Sequence, residues 1–233
     1  MTKSELEVPA ATAKDRALVV VRAAIAATPV AGGAALELFN ALVTPPIERR
    51  KAEWMEAVAS ELQRLAQKQV FSLEALLENE QFIDTILEAS QAAIRTSSSE
   101  KREALKNAVI NSASPNPPEE SLQKIYIRLV DELTEWHLRI LALLHSPETW
   151  FTQRDRQAPQ FAVTSSLNAL LEKAFPELVG RREFYDYVAK DLFLKGLLTT
   201  DGLHGNMSAT GAYQSRSTDL GKGFISFVSE SHQ

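Results

Sequence analysis

Only two of the nine glycines, Gly32 and Gly33, fall within the first 150 residues. Glycine supplies the positive φ that tight chain reversals need, so a stretch nearly without it has few ways to turn one strand into the next. That stretch is rich in Ala, Leu and Glu, all strong helix formers. It points to packed helices. The other seven glycines run from Gly180 to Gly223, so turns and a hairpin are expected in the tail.

The helices announce their own ends. Thr44 followed by Pro45 predicts N-cap and first turn of a helix to about Lys68. Its buried face is expected to carry Ile47, Trp54, Met55, Val58, Leu62 and Leu65. Ser72 is the expected cap of a short helix at 73–78. Asn79 should cap a helix with the stripe Ile83, Ile86, Leu87 and Ile94, and Ser98 or Ser99 one running through Leu105, Val109 and Ile110. The run Pro115-Asn116-Pro117-Pro118 stops the chain. Beyond it the strongest stripe passes from Leu122 through Tyr126, Val130, Trp136 and Ile140 to Leu144, with Thr134 as a break or a new cap. No 20–50-residue repeat and no long heptad pattern interrupts this reading.

Residues 17–43 form the most apolar stretch, with Arg22 and Glu37 as its two charges. One unbroken helix of that length would measure roughly 40 Å, enough to cross a bilayer. Pro29, Gly32 and Gly33 break it in the middle, which predicts a buried apolar helical hairpin over 17–43. Insertion of that hairpin into a membrane is the alternative, since its small residues suit close packing in lipid.

The chain has no cysteine. Disulfides, thiolate zinc sites, iron–sulfur centres and a cysteine nucleophile are therefore excluded. The lack of cysteine fits a reducing compartment, and Glu5, Glu7 and Asp15 precede any apolar run, so a cytoplasmic location is expected. The formal charge is −5. The excess lies wholly in the first 150 residues, with 16 basic against 21 acidic groups, while the tail holds nine of each. Neither part offers a broad basic surface for nucleic acid. The polar stretch at 152–159 is the expected linker, dividing a helical bundle domain at 1–150 from a smaller domain at 160–230.

In the tail, Leu167, Leu170, Leu171 and Ala174 predict one helix. Phe184, Val188, Ala189 and Leu192 predict a second, ended by Gly196. Leu197-Leu198 then read as a short strand, 199–216 as a hairpin or loop, and Leu220, Phe224, Phe227 and Val228 as the buried face of a last helix. The order Leu192, Lys195-Gly196-Leu197-Leu198, hairpin, Thr218-Asp219-Leu220-Gly221 resembles winged-helix domains of the MarR-like kind over roughly residues 163–228. The whole chain also resembles bacterial conserved proteins of unknown function. The tail's resemblance implies a small α+β module whose helix at 181–194 enters the DNA major groove while the wing touches phosphate. It would make Arg181, Arg182, Lys190, Lys195 and Arg216 the nucleic-acid-binding residues. This chain departs from that pattern, because the same helix carries Glu183, Asp186 and Asp191, and 199–215 contains no Lys or Arg. Tight DNA binding neutralises many phosphates. Winged helices also serve as protein-contact modules.

Catalytic constellations are missing from the sequence. The histidines, His137, His145, His204 and His232, fall in neither a His-Glu-x-x-His nor a Glu-x-x-His pattern. His137 lies on the apolar stripe four residues from Leu133 and Leu141, where a satisfied core histidine is expected. His145 sits at a predicted helix end, which favours a protonated ring. Gly221-Lys222-Gly223 lacks the rest of a phosphate loop, and the two Ser-x-x-Lys matches lack their companion motifs. Glu80, Asp84 and Glu88 line one helix face, and Arg102 and Lys106 on the next helix are expected to answer them. The expectation is a mainly α protein, a multi-helix bundle followed by a small winged-helix-like α+β domain. No enzyme, cofactor or metal is expected. Its expected role is regulation or interaction through protein–protein contacts or self-association, with the tail as docking module. DNA binding by the tail and membrane association through 17–43 are the alternatives.

Overall fold

A computed structural model describes residues 32–68, 70–161 and 164–230. Residues 17–31 of the expected apolar hairpin lie outside that set. The protein is mainly α, with ten α-helices and one two-stranded antiparallel sheet among the described residues. The chain divides into two compact units, 1–50 and 51–233.

Helix α1 spans Gly32–Gln67 without interruption, with Pro45 and Pro46 inside it. This corrects two expectations. Thr44 is not an N-cap, and residues 32–43 continue the helix that follows rather than forming a separate hairpin arm. Proline's fixed φ is itself helical; its cost is the missing N–H, which leaves the carbonyls of Ala41 and Leu42 without their donors four residues on. Both residues are exposed, so water can take those bonds. No helix among the described residues is long and apolar enough to cross a membrane.

The second unit begins within α1, where Trp54, Val58 and Leu65 are buried while Met55 is 59% exposed. Helix α2 (Leu73–Leu77), α3 (Glu80–Arg95) and α4 (Ser99–Ser112) follow, and their expected caps are in place. The side-chain oxygens of Ser72, Asn79 and Ser98 accept from the backbone N–H of Ala75, Phe82 and Lys101. Helix α3 buries Phe82, Thr85, Ala89, Ala92 and Ala93, so its inner face is mostly alanine and Leu87 is left outside at 55% exposure. Small residues there let α4 approach closely.

Helix α5 (Glu120–Glu132) ends at Leu133, and α6 (Glu135–His145) restarts at Thr134. The single long stripe is therefore two helices. Thr134 and His137 form a reciprocal capping box, with His137 Nδ1 in the place usually held by a Glu or Gln oxygen. Between α3 and α5, buried Gln123 accepts from Thr85 at 2.9 Å and donates to the Pro118 carbonyl at 2.7 Å. Asp84 pairs with Lys124 of α5, and Arg95 with Asp131 beside it. Of the acidic row, Asp84 thus meets α5 rather than Arg102 or Lys106, which turn to the Thr96 carbonyl and to Glu103.

Helix α7 (Pro147–Thr152) leads through 153–161 to strand β1 (Thr164–Ser165) and helices α8 (Leu167–Ala174) and α9 (Arg182–Leu194). Strand β2 (Met207–Ser208) and helix α10 (Asp219–Val228) complete the described chain. The expected linker is pinned: Arg156 donates to the Ala174 and Lys173 carbonyls at 2.7 and 2.9 Å, closing the end of α8. The tail shares the core of the preceding helices. Phe224 and Phe227 of α10 pack on Tyr126 of α5, and Trp150 meets Phe175 edge-on at 5.1 Å. Buried Asn111 of α4 donates to carbonyls in the last turn of α10, including that of Phe227 at 2.8 Å. The compositional change at residue 150 falls inside this one unit.

Candidate functional site

The segment after α9 is built by the residues that carry the winged-helix resemblance. Gly196 ends the helix with φ of +72°, the left-handed conformation that side chains resist. It allows Leu197 and Leu198 to turn inward, where both are buried. Leu198 bridges Ser217 antiparallel, and Thr199 N–H donates to the Arg216 carbonyl at 2.7 Å. Thr218 then caps α10: its hydroxyl accepts from Gly221 N–H at 2.9 Å and donates to the Gly196 carbonyl at 2.5 Å. A Cβ on Gly221 would overlap the Leu197 carbonyl. The Gly-Leu-Leu and Thr-x-x-Gly spacing is therefore one hydrogen-bonded clasp. Within 199–216 no hairpin closes on itself. Instead β2 pairs antiparallel with β1, Thr164 opposite Ser208 and Ser165 opposite Met207.

This clasp fixes α9 with Tyr185, Val188, Ala189 and Leu192 inward. Opposite them, Glu183, Tyr187, Lys190 and Leu194 form one stripe, at spacings of four, three and four that return to the same helix face. Tyr187 is 67% and Leu194 70% exposed, with Phe193 at 40% beside them and Val179 at 63% just ahead of the helix. Four large apolar side chains thus lie exposed on or beside this one helix.

Four of the five expected nucleic-acid-binding residues are engaged within the protein. The Arg181 guanidinium stacks 4.3 Å from the Phe184 ring. Arg182 donates to Asp186 at 3.4 Å, and Asp186 also holds His204 at 2.7 Å. Lys195 donates to Glu132 of α5 at 3.0 Å, which raises the lysine's pKa. Arg216 is turned inward onto the Gly211 carbonyl at 2.8 Å. Lys190 alone stays exposed without a hydrogen bond or ion pair among the described residues, and so does Glu183 on the same stripe. The sequence reading missed the stripe, although its signal was present: Tyr187, Lys190 and Leu194 fall off the buried positions at helical spacing.

Each described histidine contacts a neighbouring side chain of the fold. His137 is buried, accepts from Thr134 N–H through Nδ1, and sets Nε2 3.2 Å from Asp191. That separation is an ion-pair distance. Burial pushes its pKa down, against the pull of Asp191. His145 at the end of α6 contacts the Ser217 hydroxyl at 3.2 Å, and burial together with Lys222 lowers its pKa as well. This direction is opposite to the protonated ring expected from the helix end. Among the described residues no group of three or more His, Asp or Glu could hold a metal.

A groove of about 850 Å³ lies between α4, α6 and α10, floored by Leu138, Ala142, Ile225 and Val228. Its cations serve the fold: Arg139 forks onto Glu100, and Arg154 lies 4.4 Å over the Trp150 ring. Burial lowers the Arg154 pKa. Its lining includes Ser99 beside Glu100 and Ser229 beside Glu230, and among the described residues neither serine hydroxyl is hydrogen-bonded to a carboxylate there.

The two histidines with lowered pKa give a direct expectation for pH. A base with its folded pKa below the unfolded value contributes stability that is present above about 6.5 and lost as pH falls through the folded value. Thermal unfolding followed from pH 7.5 to 5.5 should show falling stability. His137→Gln keeps the capping box without a titrating ring and should flatten that dependence. An unchanged slope would remove His137 as its source.

Comparison with protein-family models, with curated proteins and with solved structures finds no match in any of the three. The fold and the site by themselves define a mainly α protein with an exposed aromatic and aliphatic stripe on one tail helix.

Proposed function

We propose that this protein is a non-enzymatic interaction or regulatory protein, acting in the cytoplasm through protein–protein contacts, with its winged-helix-like tail as the docking module. The observation that carries this reading is the outer face of α9, where Tyr187, Phe193 and Leu194 are exposed. A helix that reads DNA presents cations and polar groups to the groove. Here Arg182 and Lys195 are held by Asp186 and Glu132, and the stripe between them alternates Glu183 and Lys190 with the apolar Tyr187 and Leu194. Such a surface suits a partner that buries apolar area, with Tyr187 as an anchor.

Affinity capture from cell extract on the immobilised full chain tests it. The expected result is a specific protein retained in high salt by the parent chain and released by Tyr187→Ala with Leu194→Ser. Both side chains are exposed, so the fold survives these changes. DNA binding by the tail makes the opposite prediction: retardation of duplex DNA that weakens steeply with salt and is lost with Arg181→Ala and Arg182→Ala. That result, without a Tyr187-dependent protein partner, would overturn the proposal. Flotation of the full chain with liposomes would instead favour membrane association through 17–43.

A further inference from the structure

We infer that the partner of the α9 stripe is a second copy of this chain, joined through α9 packed antiparallel on its own two-fold mate. The inference rests on the docking reading above and names its partner.

The stripe is its own complement when reversed. Glu183 lies four residues before Tyr187 and Lys190 three residues after it, and neither has an ion-pair partner among the described residues. A two-fold axis crossing α9 beside Tyr187 sets Glu183 of one copy opposite Lys190 of the other, twice. It brings the two Tyr187 rings together at the centre. In the same register Leu194 reaches the turn that carries Val179, and both are exposed, at 70% and 63%. The interface has apolar groups at the centre and ends, with opposite charges between them. Two-fold interfaces require this self-complementarity, because each patch must fit itself. A parallel arrangement would set Glu183 against Glu183 and Lys190 against Lys190. The charge order therefore selects the antiparallel one.

Thirteen residues of helix make a small interface, so the dimer is a weak one, in the class below about 1,200 Å². Sedimentation velocity of the full chain over about 5–500 µM brackets such an affinity. The expected result is a monomer–dimer equilibrium within that range. Tyr187→Ala should weaken it at least about tenfold, as a central aromatic anchor does. Glu183→Lys alone and Lys190→Glu alone should each weaken it by setting like charges opposite each other. The double change Glu183→Lys with Lys190→Glu should restore dimerisation, which no unspecific loss of folding could imitate. A chain monomeric throughout the range, or a dimer insensitive to Tyr187→Ala, overturns the inference; a double change that fails to restore association overturns this pairing. A monomer that still captures a different protein in a Tyr187-dependent way leaves the docking role standing and removes only the self-pairing.

Discussion

Gly221→Ala is expected to cost at least about 3 kcal/mol, at the upper end of what overpacking does in a tight core. The reason is backbone against backbone. The new Cβ would occupy the space of the Leu197 carbonyl oxygen, with the Leu197 carbonyl carbon 3.1 Å away. That oxygen accepts the Thr218 N–H at 3.1 Å, so it cannot move without opening the clasp that caps α10. No side-chain rotation relieves the overlap. Gly196→Ala provides the contrast. There the φ of +72° is strained for alanine but the nearest atom is a Leu220 methyl at 3.8 Å, and the expected cost is only about 1–2 kcal/mol. Urea unfolding of both variants checks the order. If Gly196→Ala proves the more damaging, close packing of α10 on Leu197 is not what the glycine serves.

Phe224→Ala should lower stability by about 3–5 kcal/mol, the usual cost of emptying a buried aromatic site. Phe224 is fully buried and meets Tyr126 edge-on with ring centroids 5.9 Å apart. Because α10 packs on α4, α5 and α6, the loss is felt across the helices from both sides of residue 150. Calorimetry should therefore show the tail and the helices before it unfolding in one transition that moves as a whole to lower temperature. Two transitions, with only the later one displaced, would mean that the tail folds as a separate body. Total stability of about 5–15 kcal/mol is typical of proteins this size, so the variant should remain folded at low temperature but only marginally so.

Much of the fold was legible because its signals are local. Ser72, Asn79 and Ser98 announce helix starts through their own side chains, and Thr218 does the same for α10. The stripe around Val130 and Leu144 marks buried faces through spacing alone. Two errors have one cause. At Thr44-Pro45 a first-turn proline and an interior proline look identical in sequence, since both have the same φ. At Leu87 helical spacing predicts a core residue, although Ala89, Ala92 and Ala93 supply the surface that α4 needs. Neither choice is made within the segment itself.

The candidate site divides in the same way. The sequence by itself determined a cysteine-free, mainly α chain with a neutral, glycine-rich tail, the starts of most helices and the absence of common catalytic motifs. The resemblance to winged-helix domains also grouped Gly196, Thr218 and Gly221, and the resemblance rather than their spacing alone made that link. Only the tertiary structure decided that Arg182 is held by Asp186, that Lys195 is held by Glu132, 63 residues earlier, and that Tyr187 and Leu194 face outward. Charge pairing and burial are properties of what lies across space from a side chain, and in a chain of packed helices that neighbour comes from another element.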